Sequence, residues 1–305
     1  MTAPVATIVV CTRDRSGSLA EALENLVNQR LPERAGGYEV LVVDDGSIDD
    51  TAKVVQRVAS DSETVVRLVD AGGEGVAHAR NVGVSAARGT WIAYFDDDQR
   101  TAPTWLAELL DAAERTWADL IGGPIELTLP DGVTIGPVVR AIYGEHPTNR
   151  QRRRGITPHP AGGNRLVHRR VFDRVGLHDE SMTVGEDTDL VARAAAAGMA
   201  FGWAPGAVVW HLIPDARLDP ESISSYAGRA GAARARVELK QLGRWRIAAR
   251  ASIAVAKAGA NAVALLVAVA RRSRVDILDC RTRSWLFSGY LSTTLKATFT
   301  GDPTR

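Results

Sequence analysis

Thr90-Trp91-Ile92-Ala93-Tyr94-Phe95-Asp96-Asp97-Asp98 is the stretch that decides how this chain is read. Five β-prone residues run straight into three carboxylates, so a buried strand ends where the chain must meet water or a cation. Adjacent carboxylates repel one another. A divalent cation relieves that repulsion most directly, because Mg2+ or Mn2+ takes oxygens from one or two side chains and completes its shell with phosphate and water. In an extended chain alternate residues point the same way, so Asp96 and Asp98 are expected to share a target while Asp97 faces elsewhere. Taken alone, the triplet is better explained by a solvated acidic turn capping the helix that follows Pro103, and it is the rest of the chain that favours the cation.

Working back toward the start, short apolar runs alternate with helical patterns. Ala6 to Cys11 reads as strand, and Ser18 to Gln29, with Leu19, Leu23, Leu26 and Val27 on one face, reads as helix. Tyr38 to Val43 is a second strand that ends in Asp44-Asp45-Gly46-Ser47, after which Asp49 or Asp50 caps a helix through Ala59. Val65 to Val69 is a third strand, followed by Gly72-Gly73-Glu74-Gly75 and a helix to about Ala87. Strands and helices at this spacing imply a doubly wound, mostly parallel sheet that binds ligands at the carboxyl ends of its strands. Thr12-Arg13-Asp14, Asp44-Asp45 and Asp96 to Asp98 then share one rim, with His78, Arg80 and Asn81 close by. Gly73-Glu74-Gly75 is no dinucleotide fingerprint, since His78 stands where its last glycine belongs and the segment follows the third strand. Its glycines suit a tight turn and a close backbone approach.

Working forward, Pro103 to Ala118 reads as helix and Leu120 to Leu129 as further strand. Residues 130–160 are rich in Gly, Pro and Arg, and Arg152-Arg153-Arg154 suits either a loop over a phosphate-bearing ligand or an exposed basic loop. Ala161-Gly162-Gly163-Asn164, a short helix from about Arg169 to Val175 and the turn Thr183-Val184-Gly185 follow. Glu186-Asp187 opens the helix to Ala197, where carboxylates suit the dipole. A strand within Trp203 to Trp210 delivers His211, a metal-compatible ligand in a chain that already supplies carboxylates.

Composition bounds the possibilities. At 305 residues and 45% hydrophobic content, the chain is long enough for one large α/β domain and an appendage. Cys11 and Cys280 form neither a metal spacing nor a disulfide framework, which points to a reducing compartment. Met1 to Val10 lacks the basic and long apolar regions of a signal peptide and reads as the first strand. The net charge of +1 hides an asymmetry, because Arg217 to Arg305 holds sixteen Lys and Arg against six Asp and Glu. A basic tail behind an acidic front meets an anionic surface or is a solvated helical face.

The succession Cys11-Thr12-Arg13-Asp14-Arg15, Val43-Asp44-Asp45-Gly46-Ser47, Ala79-Arg80-Asn81-Val82-Gly83, Asp96-Asp97-Asp98, Gly163-Asn164, Gly185-Glu186-Asp187 and His211 resembles the family 2 glycosyltransferases of the GT-A fold. The likeness covers about residues 5–215. It implies a donor-nucleotide site at Thr12, Arg13, Asp45, Arg80, Asp96 and Asp97. Asp45 would contact the base, and Asp96-x-Asp98 would be the DxD motif, with Asp98 and His211 on the metal. Asp187 would be the catalytic base, Glu186 would lie beside it toward the acceptor, and Gly163, Asn164 and Arg153 would form an acceptor or phosphate loop. Arg13-Asp14-Arg15 departs from the Asn-Arg of many relatives.

The implied activity is metal-dependent, inverting transfer of a sugar from a nucleoside diphosphate sugar, with UDP favoured, to an acceptor hydroxyl. Its cofactor would be Mn2+ or Mg2+, and its organisation residues 1–216 as the GT-A catalytic domain and 217–305 as a basic, mainly helical region. The acceptor is left open among glycan, lipid-linked and small-molecule classes, and no nucleic-acid partner is expected. A nucleotidyltransferase that makes a sugar nucleotide, and a non-catalytic nucleotide-binding scaffold at a membrane, are the competing readings.

In the tail, Ala251 to Ala270 is nearly all apolar, broken by Lys257 and Asn261 and flanked by arginines. Its alanine content and Lys257 favour a helix packed on the catalytic domain or lying in the bilayer interface over a spanning one; the expected location is cytoplasmic, and in the interfacial case peripheral on the inner face of the membrane. Trp285-Leu286-Phe287 is a second interfacial anchor or core. Gln241-Leu242-Gly243-Arg244-Trp245 matches the Gln-x-x-Arg-Trp signature of processive synthases, but without their several strongly apolar spanning helices it is read as chance.

Overall fold

The computed structural model describes residues 3–33, 36–145, 160 and 162–300, with Arg244 and Thr300 described as backbone only. The chain divides into two compact units, residues 1–126 with 146–212, and residues 127–145 with 213–305.

The first unit is built on a seven-stranded sheet. Its parallel strands are β1 (Ala6–Thr12), β2 (Tyr38–Asp44), β3 (Val65–Asp70) and β4 (Trp91–Phe95), joined by helices α1 (Ser16–Leu26), α2 (Thr51–Asp61) and α3 (Val76–Ala86). With β6 (Leu120–Gly122), β8 (Asn164–His168) and β9 (Phe201–Trp203) the order is β3-β2-β1-β4-β8-β6-β9, in which β8 runs antiparallel to β4 and β6. Period-two alternation buries the two faces in separate cores. Ile8, Val10, Val42 and Phe95 face α1 and α4 (Trp105–Thr116), while Val9, Val43 and Tyr94 face α3, α6 (Arg170–Val175) and α7 (Glu186–Ala196).

Register places the polar strand ends together. Thr12 pairs with Asp44 and Asp44 with Asp70, so β1, β2 and β3 finish level. Phe95 at the end of β4 lies opposite Asn164 at the start of antiparallel β8, which brings the Gly162-Gly163 entry to the rim where Asp96 leaves.

Beyond β4 the chain turns. The Gln99 N–H donates to the Asp96 carbonyl at 3.2 Å, and β5 (Gln99–Thr101) pairs antiparallel with β10 (Val209–Leu212), with His211 opposite Gln99. The extended geometry expected through Asp98 is therefore absent, because pairing with β1 and β8 ends with β4. The region read as one strand from Leu120 is interrupted after Gly122 and resumes as β7 (Ile125–Thr128), the neighbour of β10 in a small sheet ordered β5-β10-β7. His211 lies inside β10 rather than after a strand.

The second unit contains α5 (Pro137–Ile142), a 3-10 turn at Asp215–Arg217, and the long helices α8 (Pro220–Leu242), α9 (Arg244–Ala270) and α10 (Arg274–Thr300). It draws in residues 127–145, which the expected boundary at 216/217 leaves with the catalytic domain. Val139 and Tyr143 supply the reason, since they are buried with Ile213 and Ile223 and against Leu278 and Trp285. Trp285 is thus partly buried against this core. Gly243 breaks α8 from α9, so Gln241 to Trp245 straddles a helix junction.

Of α9, Ile247, Ala254, Asn261 and Ala268 are buried, each seven residues from the next. That spacing is a narrow coiled-coil-like seam toward α8 and α10. Asn261 spends its amide there on the Cys280 carbonyl at 2.8 Å and Ser284 Oγ at 3.0 Å. Outside the seam Ile253, Val255, Val263, Leu266, Val267 and Val269 are exposed. Trp245–Ala270 is the one helix among the described residues long and apolar enough to cross a membrane by length and composition.

Candidate active site

Three clusters converge on the carboxyl rim of the sheet. The first ties the β1 loop to the acidic turn. Asp97 is buried, and its carboxylate accepts from Thr12 Oγ1 at 2.7 Å and Arg15 NH1 at 2.9 Å. Thr12 and Asp97, expected to meet the donor, are instead turned to each other, because a carboxylate that dips into the sheet edge needs two donors to offset its desolvation. Arg15 reaches on to Asp98 Oδ2 at 3.1 Å, while Asp98 Oδ1 lies 3.5 Å from His211 Nε2. The Leu212 N–H donates to the Asp98 carbonyl at 3.0 Å, so β10 pins the imidazole beside that carboxylate.

The Asp98–His211 pair fits a divalent cation. A hard carboxylate oxygen and an imidazole nitrogen face each other at a separation two ligands of one ion can span, and both side chains stay partly exposed, at 14% and 13%. No group of three His, Cys, Asp or Glu side chains gathers as a metal site among the described residues. An ion here would need oxygens from a substrate phosphate or water to fill its shell, which is how Mg2+ and Mn2+ ordinarily bind.

The second cluster lies between β2 and α3. Asp45 Oδ1 accepts from the Gly75 N–H at 3.0 Å, and its Oδ2 is 3.9 Å from the exposed Arg13 guanidinium. Gly46, at φ +77°, sits so near Gly73 that a Cβ would come 3.1 Å from the Gly73 Cα, so the two glycine turns close on each other. Asp14 is structural. Its backbone N–H donates to Ser47 Oγ at 2.9 Å, and its carboxylate accepts from the Ile48 N–H at 2.8 Å, fastening the β1 loop to the β2 turn.

The third cluster is centred on Arg80 of α3. Its guanidinium is ion-paired to Glu186, lies 4.0 Å from Asp96 Oδ1, and passes 5.9 Å from the Tyr94 ring centroid. Glu186, expected toward the acceptor, is buried as the counter-ion of Arg80, and burial lifts its carboxyl above the ordinary range against the pull of Arg80. Asp187 is different. Thr188 donates to its Oδ1 through N–H at 2.7 Å and hydroxyl at 3.3 Å, and Oδ2 has no hydrogen-bond partner among the described residues. Burial works against its charge, but Arg80, Arg165 and the Thr188 donors outweigh it and hold the carboxyl below the usual Asp range.

Gly162 and Gly163 let these carboxylates crowd together. A Cβ at Gly162 would lie 2.7 Å from Asp187 Oδ2 and 3.3 Å from Arg80 NH2, and one at Gly163 would collide with the Asp96 carboxylate. Asn164, expected in an acceptor loop, is fully buried. It donates to the Pro124 and Ala207 carbonyls at 2.7 and 2.8 Å and accepts from Trp105 Nε1 at 2.9 Å, which exhausts its amide on the fold. Arg153 lies outside the described residues. Burial pushes the Cys11 thiol up to about 12, so it offers no nucleophile here.

Arg15, Arg165 and His178 join the site without having been singled out from sequence. Arg165 did carry a signal, as a charge set between Gly163-Asn164 and the apolar pair Leu166-Val167.

The sequence model of glycosyl transferase family 2 matches residues 7–176, more than half of the chain. The chain belongs to glycosyl transferase family 2. Among similar proteins, glycosyltransferase AglE of Haloferax volcanii is 26% identical over 212 residues, 69% of this chain and 67% of that protein. Succinoglycan biosynthesis protein ExoM of Rhizobium meliloti is 26% identical over 295 residues, 93% of this chain and 91% of that protein. The structure of mannosyltransferase PcManGT from Pyrobaculum calidifontis, in complex with GDP-Man and Mn2+, aligns with a TM-score of 0.64 at 19% identity, over 99% of this chain and 89% of that one. The fold of this glycosyltransferase is GT-A. Asp187 and His211 lie beyond the matched segment, and their place at the rim comes from the structure.

Proposed function

We propose that this glycosyltransferase moves a sugar from a nucleoside diphosphate sugar to an acceptor hydroxyl in one step, with inversion at the anomeric carbon. The observation that carries the reading is the open Asp187 Oδ2 beside Gly162, in the same charge cluster as Asp96. The donor base stacks near Asp45 and Arg13, and Asp96 lies toward the donor ribose or sugar. Asp98 and His211 would hold a divalent cation, which when bound would offset the charge that develops on the departing diphosphate.

The attacking alcohol is a weak nucleophile, and Asp187 Oδ2 takes its proton as the new bond forms. Such base catalysis contributes about 10²- to 10⁴-fold in rate. Arg80, anchored by Glu186, sets the spacing of Asp96 and Asp187. With no second positioned nucleophile at the site among the described residues, the reaction needs no covalent sugar–enzyme intermediate.

The test is release of nucleoside diphosphate from UDP-, dTDP- and GDP-sugars with and without Mn2+ or Mg2+. Metal-dependent release of UDP, dTDP or GDP supports transfer. Pyrophosphate release would make the chain a nucleotidyltransferase, and binding without turnover across an acceptor panel would make it a scaffold. UDP is the favoured donor base from the family resemblance, and PcManGT makes GDP the other base to try first.

The partner of α9 is an anionic lipid surface. A helix apolar outside a four-residue seam must be covered, and Arg246, Arg250, Arg271, Arg272 and Arg274 bracket it with charge of the sign that meets lipid phosphate. Exposed Lys257 argues for lying in the interface, where its amine reaches water. Co-sedimentation with phosphatidylglycerol vesicles at low salt, weakened by 0.5 M NaCl and by replacing the three C-terminal arginines with glutamate, is the expected result. No binding to these vesicles, together with dimer formation through α9, would assign the face to a second copy.

A further inference from the structure

Arg165 is fully buried on β8, on the sheet face that carries Tyr94 and Val167. Its guanidinium carbon sits 4.4 Å from the Tyr94 ring centroid. NH2 meets His178 Nε2 at 3.0 Å, NH1 reaches the Asp187 carbonyl at 3.5 Å, and Nε has no hydrogen-bond partner among the described residues. No carboxylate lies within 4.0 Å of it among the described residues, whereas Arg80 has Glu186. Burying a guanidinium without a paired anion costs several kcal/mol. A purely structural position would be filled more stably by an apolar side chain.

The surroundings show how this charge is aimed. Arginine only donates, so His178 Nε2 accepts, and the imidazole proton belongs on Nδ1, 3.2 Å from Asn81 Oδ1. Asn81 Oδ1 also receives the His178 N–H at 2.9 Å, and its amide returns to the His178 carbonyl at 2.9 Å. Burial and the adjacent arginines keep His178 neutral. The ring is therefore a fixed acceptor, not a competing cation, and Arg165 is locked with its charge toward the start of α7.

We propose that Arg165 is a positioning residue of sugar transfer, which holds the Asp187 peptide and presents an unneutralised positive charge to the Asp187 carboxylate. The inference rests on Asp187 acting as the base. Among the described residues, the charged groups that act on Asp187 are Arg80 from α3, Arg165 from β8 and the adjacent Glu186 of α7. Of these only Arg165 is a cation without a carboxylate of its own within ion-pair distance. The device trades stability for a base that stays ready to receive a proton in a crowded acidic site.

The test compares Arg165→Met and Arg165→Lys with the wild type, using pH profiles of kcat/KM and the 13C shift of the Asp187 carboxyl in the whole protein. In Arg165→Met the carboxyl should titrate about one pH unit or more higher, from loss of a nearby opposite charge. The acid limb should move with it, and the melting temperature should not fall. Arg165→Lys keeps the charge and should keep the limb near its wild-type position while kcat falls through lost geometry. An unmoved Asp187 titration in Arg165→Met, or a destabilised Arg165→Met with a wild-type acid limb, overturns the proposal. The carboxyl shift is read without turnover, so a wild type inactive on every donor would defeat the proposed reaction and still leave the Arg165–Asp187 coupling measured.

Discussion

Arg80 and Glu186, 106 residues apart in sequence, form a buried ion pair that joins α3 to the first residue of α7. Glu186→Gln leaves the Arg80 charge uncompensated, and breaking a buried pair from one side costs about 3–5 kcal/mol. Urea denaturation of the variant should show a loss of that order, and Arg80, drawn toward Asp96 and Asp187, should lower turnover as well. A variant as stable as the wild type would mean the pair is not formed in solution.

Gly163→Ala puts a methyl where the Asp96 carboxylate sits. The backbone there is not left-handed, so the fold should survive while Asp96 is displaced. A drop in kcat/KM of about 10²-fold is expected, since misplacement by an ångström costs that much. Circular dichroism should stay native. Unchanged kinetics would remove Asp96 from the donor site.

Asn164→Ala separates a fold role from a ligand role. It strips partners from the Pro124 and Ala207 carbonyls and from Trp105 Nε1, and should destabilise by about 2–4 kcal/mol. Where the variant is folded, UDP and GDP affinity with Mn2+ should match the wild type. Weakened nucleotide binding at full stability would return Asn164 to the phosphates.

His178 gives the fold a pH dependence. Its folded pKa is depressed, so its contribution to stability is complete above the unfolded value of about 6.5 and is lost as pH falls toward the folded one. The slope attributable to it is about 1.4 kcal/mol per pH unit below that value. Urea denaturation from pH 8 to pH 5 should show wild type losing ground to His178→Gln as pH falls. Parallel curves would mean the ring protonates freely.

Much of this site was legible because parallel sheets deliver strand ends to one rim. The acidic ends of β2 and β4 could be grouped from alternation alone, and the motif order named the family. The misplaced details share a physical cause. Thr12, Asp97, Asn164 and Glu186 belong to functional motifs but are spent on holding the rim together, and sequence does not distinguish a polar residue facing a ligand from one satisfying its neighbour. Arg165 was overlooked for the opposite reason, since a charge on an interior strand follows no pattern of amphipathicity. The boundary moved because Val139 and Tyr143 bury themselves with Ile213 and Ile223, far along the chain, a pairing no local pattern reports.

The central claim is that Asp187 takes the acceptor's proton while other residues hold the donor. It is tested most directly by Asp187→Asn, measuring nucleoside diphosphate release alongside UDP and GDP binding in the presence of Mn2+. The account predicts nucleotide affinity equal to the wild type and turnover reduced about 10²- to 10⁴-fold. Turnover within a few-fold of the wild type, or a loss of nucleotide binding as large as the loss of rate, would contradict it.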